Sequence, residues 1–237
     1  MPTIAMDRVS EHHFISSWLE AGNDKGKLLV VDLGMNEGAF SREILRRYGK
    51  SRVVAVEANP RLASAAPQPR GLHCYNHAIA PENGPVTFGI DPDNSTASSL
   101  HATGGNSEKV TVEGIRFADF IQQAQIENDI IDLLKIDIEG TEIELFEQTP
   151  AHFFVNVRQI CVEFHAFLHP QHLPRIAKII AKMEALDFHC VDFTTNFQDV
   201  LMVNKRLALS RLGPVEIMKM SLAKYVRGAK RKLAKLV

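Results

Sequence analysis

The sequence predicts a doubly wound, Rossmann-like α/β sandwich, and three observations carry that prediction. Between residues 28 and 205 short apolar runs alternate with helical stretches, the pattern of right-handed βαβ crossovers feeding a parallel sheet. The runs hold four to six apolar residues without period-two alternation, as strands covered on both faces do. The last two, 188–193 and 199–205, resemble a closing antiparallel pair.

Taken in order, residues 1–27 read as an N-terminal helical extension, and LLVVDL (28–33) is the first buried strand. AFSREILRRYG (39–49) follows as a helix, with apolar residues at 40, 44, 45 and 48 and Gly49 as its C-cap. VVAVEA (53–58) is the second strand, and Pro60 opens a short helix. LHCYNHAIA (72–80) is the third strand. IIDLLKIDIEG (130–140) is the fourth, with a helix over 141–148, and RQICVEF (158–164) is the fifth, with a helix over about 171–186. Residues 81–113 interrupt the alternation with GPVTFGI, a polar loop and VTVEGI, a small β insertion at the edge of the fold. The loop is longer than ordinary connections, so it reads as a lid or as disorder.

In an open α/β sheet, ligands bind beyond the carboxyl ends of the strands. The first strand runs out into Asp32-Leu33-Gly34-Met35-Asn36-Glu37-Gly38, where Gly34 and Gly38 let the backbone turn tightly and approach a ligand. The second ends at Glu57, an acid placed to accept both hydroxyls of a ribose. A nicotinamide fingerprint starting at Gly34 would need glycine at 36 and 39, which are Asn and Ala. Asp32 beside a pyrophosphate would also be repulsive, whereas an acid suits the ammonium group of S-adenosylmethionine. The alternative role of Asp32 and Glu57 is helix capping at strand ends.

These segments resemble the FkbM family of S-adenosylmethionine-dependent methyltransferases. VVDLGMNEGAFS (30–41) is similar to the family's Asp-x-Gly-Ala-Asn-x-Gly loop, with Met35 in place of the usual Ala. VEANP (56–60), LLKIDIEGTE (133–142) and VEFH (162–165) match as well, so the likeness covers about 28–205. It implies a class I methyltransferase sandwich with a seven-stranded sheet, mostly parallel with an antiparallel last strand. It also implies that Asp32, Gly34, Asn36 and Gly38 surround the amino-acid part of the cofactor and that Glu57 holds its ribose. Ala58, Asn59 and the backbone at His77–Ala78 are candidates for the ribose and adenine edge, and Asp137 for a place close to the methyl group.

Methyl transfer to oxygen needs alignment of the hydroxyl and removal of its proton. His165, Asp137 and Glu163 are the available bases, with His165 first because imidazole titrates near neutrality. Alternation along the fourth strand would put Lys135, Asp137 and Glu139 on one face. The bland readings are a loop or core histidine and a structural acid. Asp137, Glu139, Glu163 and His165 could also gather a divalent ion such as Mg²⁺.

The acceptor implied by the resemblance is a sugar hydroxyl of a glycan or glycosylated metabolite. The alternatives are N- or carboxyl-methylation of a small metabolite, and an inactive cofactor-binding subunit of a membrane-associated glycan-assembly complex. Acceptor recognition is expected from the 91–108 loop and the N-terminal segment.

With 237 residues, 45% hydrophobic and 23% charged, the chain has an ordinary globular composition. Cys74, Cys161 and Cys190 lie far apart and read as buried thiols of a reducing compartment. No apolar run reaches the ~18–20 residues of a membrane span, and the first residues carry no signal-peptide pattern, so a cytoplasmic protein is expected. The net charge of −1 hides an asymmetry: residues 206–237 hold nine Lys/Arg and one acid, Glu216. After Gly213-Pro214, the positions Val215, Met218, Leu222, Tyr225/Val226, Ala229, Leu233 and Leu236 recur at helical spacing among lysines and arginines. This basic amphipathic helix docks on its own domain or a dimer mate, or lies peripherally on an anionic membrane surface. An acidic body and 7% aromatic content argue against a nucleic-acid partner.

Overall fold

A computed structural model describes residues 4–90, 108–165, 170–194, 196–210, 212–218, 220 and 222. The first strand of the sandwich is β3 (Leu29–Leu33), the third in chain order. All five of its residues are buried, so the unalternating apolar run is a strand covered on both faces. Leu29, Val31 and Leu33 pack into a core cluster with Phe120, Phe146 and Phe154, while Val30 joins Phe14, Phe40 and Ile44 on the opposite side.

Chain order continues through α2 (Ala39–Arg47), β4 (Arg52–Val56), α3 (Pro60–Ala65) and β5 (Leu72–Tyr75). Then come β6 (Ala78–Ile79), β7 (Gly84–Ile90), β8 (Glu108–Ile115), α4 (Phe117–Gln123), β9 (Leu133–Ile136), α5 (Glu142–Gln148) and α6 (His152–Val155). The chain closes through β10 (Gln159–Val162), α7 (Leu173–Ala185), β11 (Phe188–Asp192) and β12 (Val200–Asn204). The seven-stranded sheet runs β11-β12-β10-β9-β3-β4-β5, with β12 antiparallel to both neighbours and the other pairs parallel. Strand order therefore reverses between β3 and β9, the topological switch point at which a ligand crevice opens.

The α2 helix ends at Arg47 with Tyr48 as its C-cap, so Gly49 lies beyond the cap. The run 72–80 is two strands: β5 completes the large sheet, and β6 turns away to pair with β8. The β insertion forms as a three-stranded sheet in which β7 and β8 are antiparallel over Gly84–Ile90 and Glu108–Ile115. Its polar loop, 91–107, lies outside the described residues.

The N-terminal extension is not simply helical. Met6–Val9 (β1) and His12–Ile15 (β2) form an antiparallel hairpin before α1 (Ser16–Asp24). The hairpin is tied to the sheet by Gln159, whose Oε1 accepts from the Ile15 N–H at 2.8 Å and whose Nε2 donates to the Ile15 carbonyl at 3.3 Å. A buried glutamine thus satisfies both backbone groups of one residue. That anchor brings the other end of β2, His12, over the switch point. Among the described residues no helix is long and apolar enough to cross a membrane. The thiols of Cys74 and Cys190 are pushed up by burial to about 12, which makes them inert.

Candidate active site

The loop after β3 is bound to the end of β4, with the N–H groups of Gly34 and Met35 donating to the Val56 carbonyl at 3.0 and 2.9 Å. Gly34 has φ +79°, and a Cβ there would lie 1.7 Å from the Asp137 carbonyl oxygen. Only glycine lets the two strand ends approach this closely. Asn36 also takes a left-handed conformation, φ 52°, which turns its N–H to donate to Glu57 Oε2 at 2.6 Å. Glu57 Oε1 accepts from the Asn59 N–H at 2.8 Å. Burial pushes the Glu57 carboxyl up, against the pull of these two amides.

A cleft opens above these strand ends. Gly34, Asn36, Glu57, Ala58, His77, Ala78 and Asp137 line it, all expected from the sequence. Glu139, expected only as a metal-ligand candidate, lines it too, and Val56, Leu62, Ile79, Phe88, Ile138 and Thr141, which were not expected, complete the wall. Phe88 comes from the β insertion, whose part in the site no local motif announces. Asn36 Oδ1 and His77 Nδ1 are buried without a hydrogen-bond partner among the described residues. Two cleft-lining side chains therefore hold polar capacity for a ligand. Among the described residues the lining holds three carboxylates and neither lysine nor arginine. A sulfonium nucleoside fits that donor set, and a pyrophosphate does not.

Asp32 does not line the cleft. It is fully buried at sheet level, where Oδ2 accepts from Ser41 Oγ at 2.6 Å and Oδ1 faces Lys135 Nζ at 3.1 Å. Lys135 also donates to the Gly34 carbonyl at 2.6 Å. Burial works against the lysine's charge, but Asp32 and then Asp137 outweigh it and hold the ammonium well above its usual range. Asp32 therefore supports the glycine loop through Lys135 rather than lining the cleft. Gly38 opens α2 at φ 78°, and Asn59 caps α3 by accepting from the Arg61 N–H, so both act beside the cleft.

The β9 strand ends at Ile136, and Glu139 turns to φ 55°, so the expected single face of 135, 137 and 139 does not persist. Asp137 faces Lys135 Nζ at 3.5 Å and His12 Nε2 at 3.4 Å. Burial raises its carboxyl, yet Lys135 and His12 together hold it well below the usual carboxylate range. Nothing in the first 27 residues had marked His12; its role depends on how the hairpin docks.

His165 sits between two carboxylates, Nε2 at 3.1 Å from Glu139 Oε2 and Nδ1 at 3.0 Å from Glu142 Oε1. Burial opposes its charge, but these bonds raise it to about 11. With both nitrogens donating to anions the ring is an imidazolium, which corrects the expectation that it acts as the base. Glu163, at the end of β10, makes no hydrogen bond or ion pair with its carboxylate among the described residues. Burial, and then the charge of Asp137, push it up to about 7 against the pull of the His165 cation, with Glu139 adding a smaller push. Of the expected metal set, Glu139 and His165 are engaged with each other, and the structure groups His12, Asp137 and Glu163, and also Asp137, Glu142 and His165, with ligand atoms within 4.8 Å.

Comparison with known proteins gives a family match and distant relatives. The methyltransferase FkbM domain matches residues 32–190. The 2-O-methyltransferase NoeI of Sinorhizobium fredii is 24% identical over 153 residues, 56% of this chain and 60% of that protein. The methyltransferase sdnD of Sordaria araneosa is 26% identical over 168 residues, 56% of this chain and 65% of that one. The chain thus matches less than two thirds of either relative's length. A solved structure of human methyltransferase-like protein 13 in complex with SAH is similar with TM-score 0.48 and 11% identity, covering 84% of this chain and 80% of that one.

Proposed function

The chain belongs to the FkbM methyltransferase family, and from that premise we propose an S-adenosylmethionine-dependent O-methyltransferase acting on a sugar hydroxyl of a glycan or glycosylated metabolite. One observation carries the cofactor reading. Among the described residues the glycine-loop cleft is lined by Glu57, Asp137 and Glu139 with no lysine or arginine, which suits a cationic nucleoside. Oxygen as the receiving atom is supported by the relative NoeI, named a 2-O-methyltransferase. The sugar is our reading of the family.

The Gly34–Asn36 loop would hold the amino-acid end of the cofactor, Glu57 the ribose, and His77 with Ala78 the adenine edge. Bound there, S-adenosylmethionine would supply a sulfonium methyl group that needs only an aligned nucleophile. The protein's task is then to present the hydroxyl oxygen and accept its proton. Asp137 stays ionised beside Lys135 and His12 and shapes the field at the strand ends. His165 is a fixed cation and cannot take a proton. Glu163 is the carboxyl whose affinity for a proton matches the task, so its carboxylate would receive the hydroxyl proton. We place this chemistry in a reducing, cytoplasmic setting, in keeping with three unpaired thiols.

The test is calorimetric titration of S-adenosylmethionine, S-adenosylhomocysteine and NAD, with Glu57→Ala as control. Radiolabelled methyl transfer to panels of sugars, amines and carboxylates follows. Micromolar binding of the first two ligands, weakened at least tenfold by Glu57→Ala, and labelling of a sugar are expected. Absence of binding refutes the reading, and labelling of amines or carboxylates alone replaces its acceptor. Binding without transfer to any acceptor would make the chain a cofactor-binding subunit.

A further inference from the structure

The apolar stripe that helical spacing finds after Pro214 begins with Val215, Met218 and Leu222. Residues 214–218, 220 and 222 are helical. A stripe of this kind ordinarily packs on its own domain, but here it faces outward: Val215, Met218 and Leu222 are 53%, 55% and 48% exposed. The segment is docked through different residues. Met220 is fully buried and Ile217 packs beside it, against the cluster of Ile15, Trp18, Phe193 and Leu201. At 100° per residue, Val215, Met218 and Leu222 fall within an arc of about 60°, and Ile217 and Met220 lie about 140–200° away from Val215. The helix has two apolar faces, one used by the fold and one left open.

Chemistry around the open face decides what covers it. The sequence carries the same spacing forward through Tyr225/Val226, Ala229, Leu233 and Leu236, with Lys224, Arg227, Lys230, Arg231, Lys232 and Lys235 between them. Residues 206–237 total +8, against −9 for the remainder of the chain. Two such basic segments repel each other, which disfavours a self-paired helix. An anionic lipid surface meets both features at once, taking the apolar side chains below the headgroups and the lysines at their level. We propose that the helical segment beginning at Pro214 is a peripheral docking surface for anionic membranes, with Val215, Met218 and Leu222 as its first inserted residues. The inference does not depend on the methyl-transfer reading.

The experiment is cosedimentation of the full chain with phosphatidylcholine vesicles, with and without 30 mol% phosphatidylglycerol, at low and high salt. Binding at least tenfold stronger to the anionic vesicles, weakened by salt, is expected. V215E/M218E/L222E should lower it at least tenfold while retaining the parent's thermal unfolding and S-adenosylhomocysteine titration, because the docked face is untouched. Equal sedimentation with both vesicle types, or unchanged binding by the triple variant, overturns the proposal. So does a concentration-dependent dimer, seen by light scattering and abolished by that variant, in a chain that ignores vesicles. If the triple variant fails to fold, single L222E with the same readouts decides.

Discussion

Glu163→Gln isolates the proton-accepting step, because it keeps the side chain's size and removes only the ability to hold a proton. The carboxyl is pushed up to about 7 by burial and then by Asp137, against the pull of the His165 cation. Its ionised fraction is therefore about a half at pH 7, about a tenth at pH 6 and about a hundredth at pH 5, each pH unit being tenfold in the proton equilibrium. The parent's kcat/KM should follow that fraction, giving an acid limb of unit slope with an apparent pKa near 7. Glu163→Gln should cost about 10²–10⁴-fold in kcat, the usual range for a general base, and flatten the acid limb. Its affinity for S-adenosylhomocysteine should stay within twofold, since Glu163 is not among the residues lining the cofactor cleft. Stopped-time methyl-transfer assays between pH 5 and 9 measure all three quantities. An acid limb that survives in Glu163→Gln, or a variant with more than a tenth of the parent's rate, refutes the assignment.

Gly34→Ala should abolish S-adenosylhomocysteine binding by calorimetry, because its Cβ would fall 1.7 Å from the Asp137 carbonyl and force the two strand ends apart. Lys135→Met leaves Asp32 buried without its cation and should lower stability by about 3–5 kcal/mol in denaturant melts, whereas Lys135→Arg should lose less. His165 is raised from 6.5 to about 11 in the fold, so the stability it contributes is fully present below pH 6.5 and lost as pH rises toward 11. His165→Gln should remove that slope from melts collected between pH 6 and 10. Exhaustive chelation should leave methyl transfer within twofold. A loss restored by Mg²⁺ or Mn²⁺ would assign the His12–Asp137–Glu163 cluster to a cation and move Glu163 from base to ligand.

Elements whose sequence signal is local were legible. Unalternating apolar runs announced β3, β4, β9 and β10, because a strand buried on both faces has no polar side to show. The positions of the glycine loop and Glu57 beside the cleft were legible because each stands where a buried strand ends, although the contacts that fix them, with Asp137 and with the Asn36 N–H, are distant in sequence. What failed was set by contacts distant in sequence. His12 reaches Asp137 only because Gln159 pins Ile15 across the sheet. A lone histidine in a short polar hairpin carries no sign of that. Asp32 was expected to face a ligand because a strand-end acid usually does; its partner, Lys135, lies about a hundred residues on and pairs with it only in the β3–β9 register.

The surroundings of His165 show why an ordinary pKa is a poor guide in a crowded acidic site. Imidazole titrates near neutrality in water, which made it the natural base. The fold surrounds it with Glu139 and Glu142, and two charge-assisted bonds convert it into a fixed cation. Asp137 is likewise committed, to Lys135 and His12. With each cation in the cluster already bonded to another carboxylate, Glu163 is left with burial and like charge as its dominant neighbours. Those are the two influences that raise an acid toward neutrality. Under the proposed mechanism Glu163 serves as the base because Asp137 and His165 are each held by a partner of opposite charge.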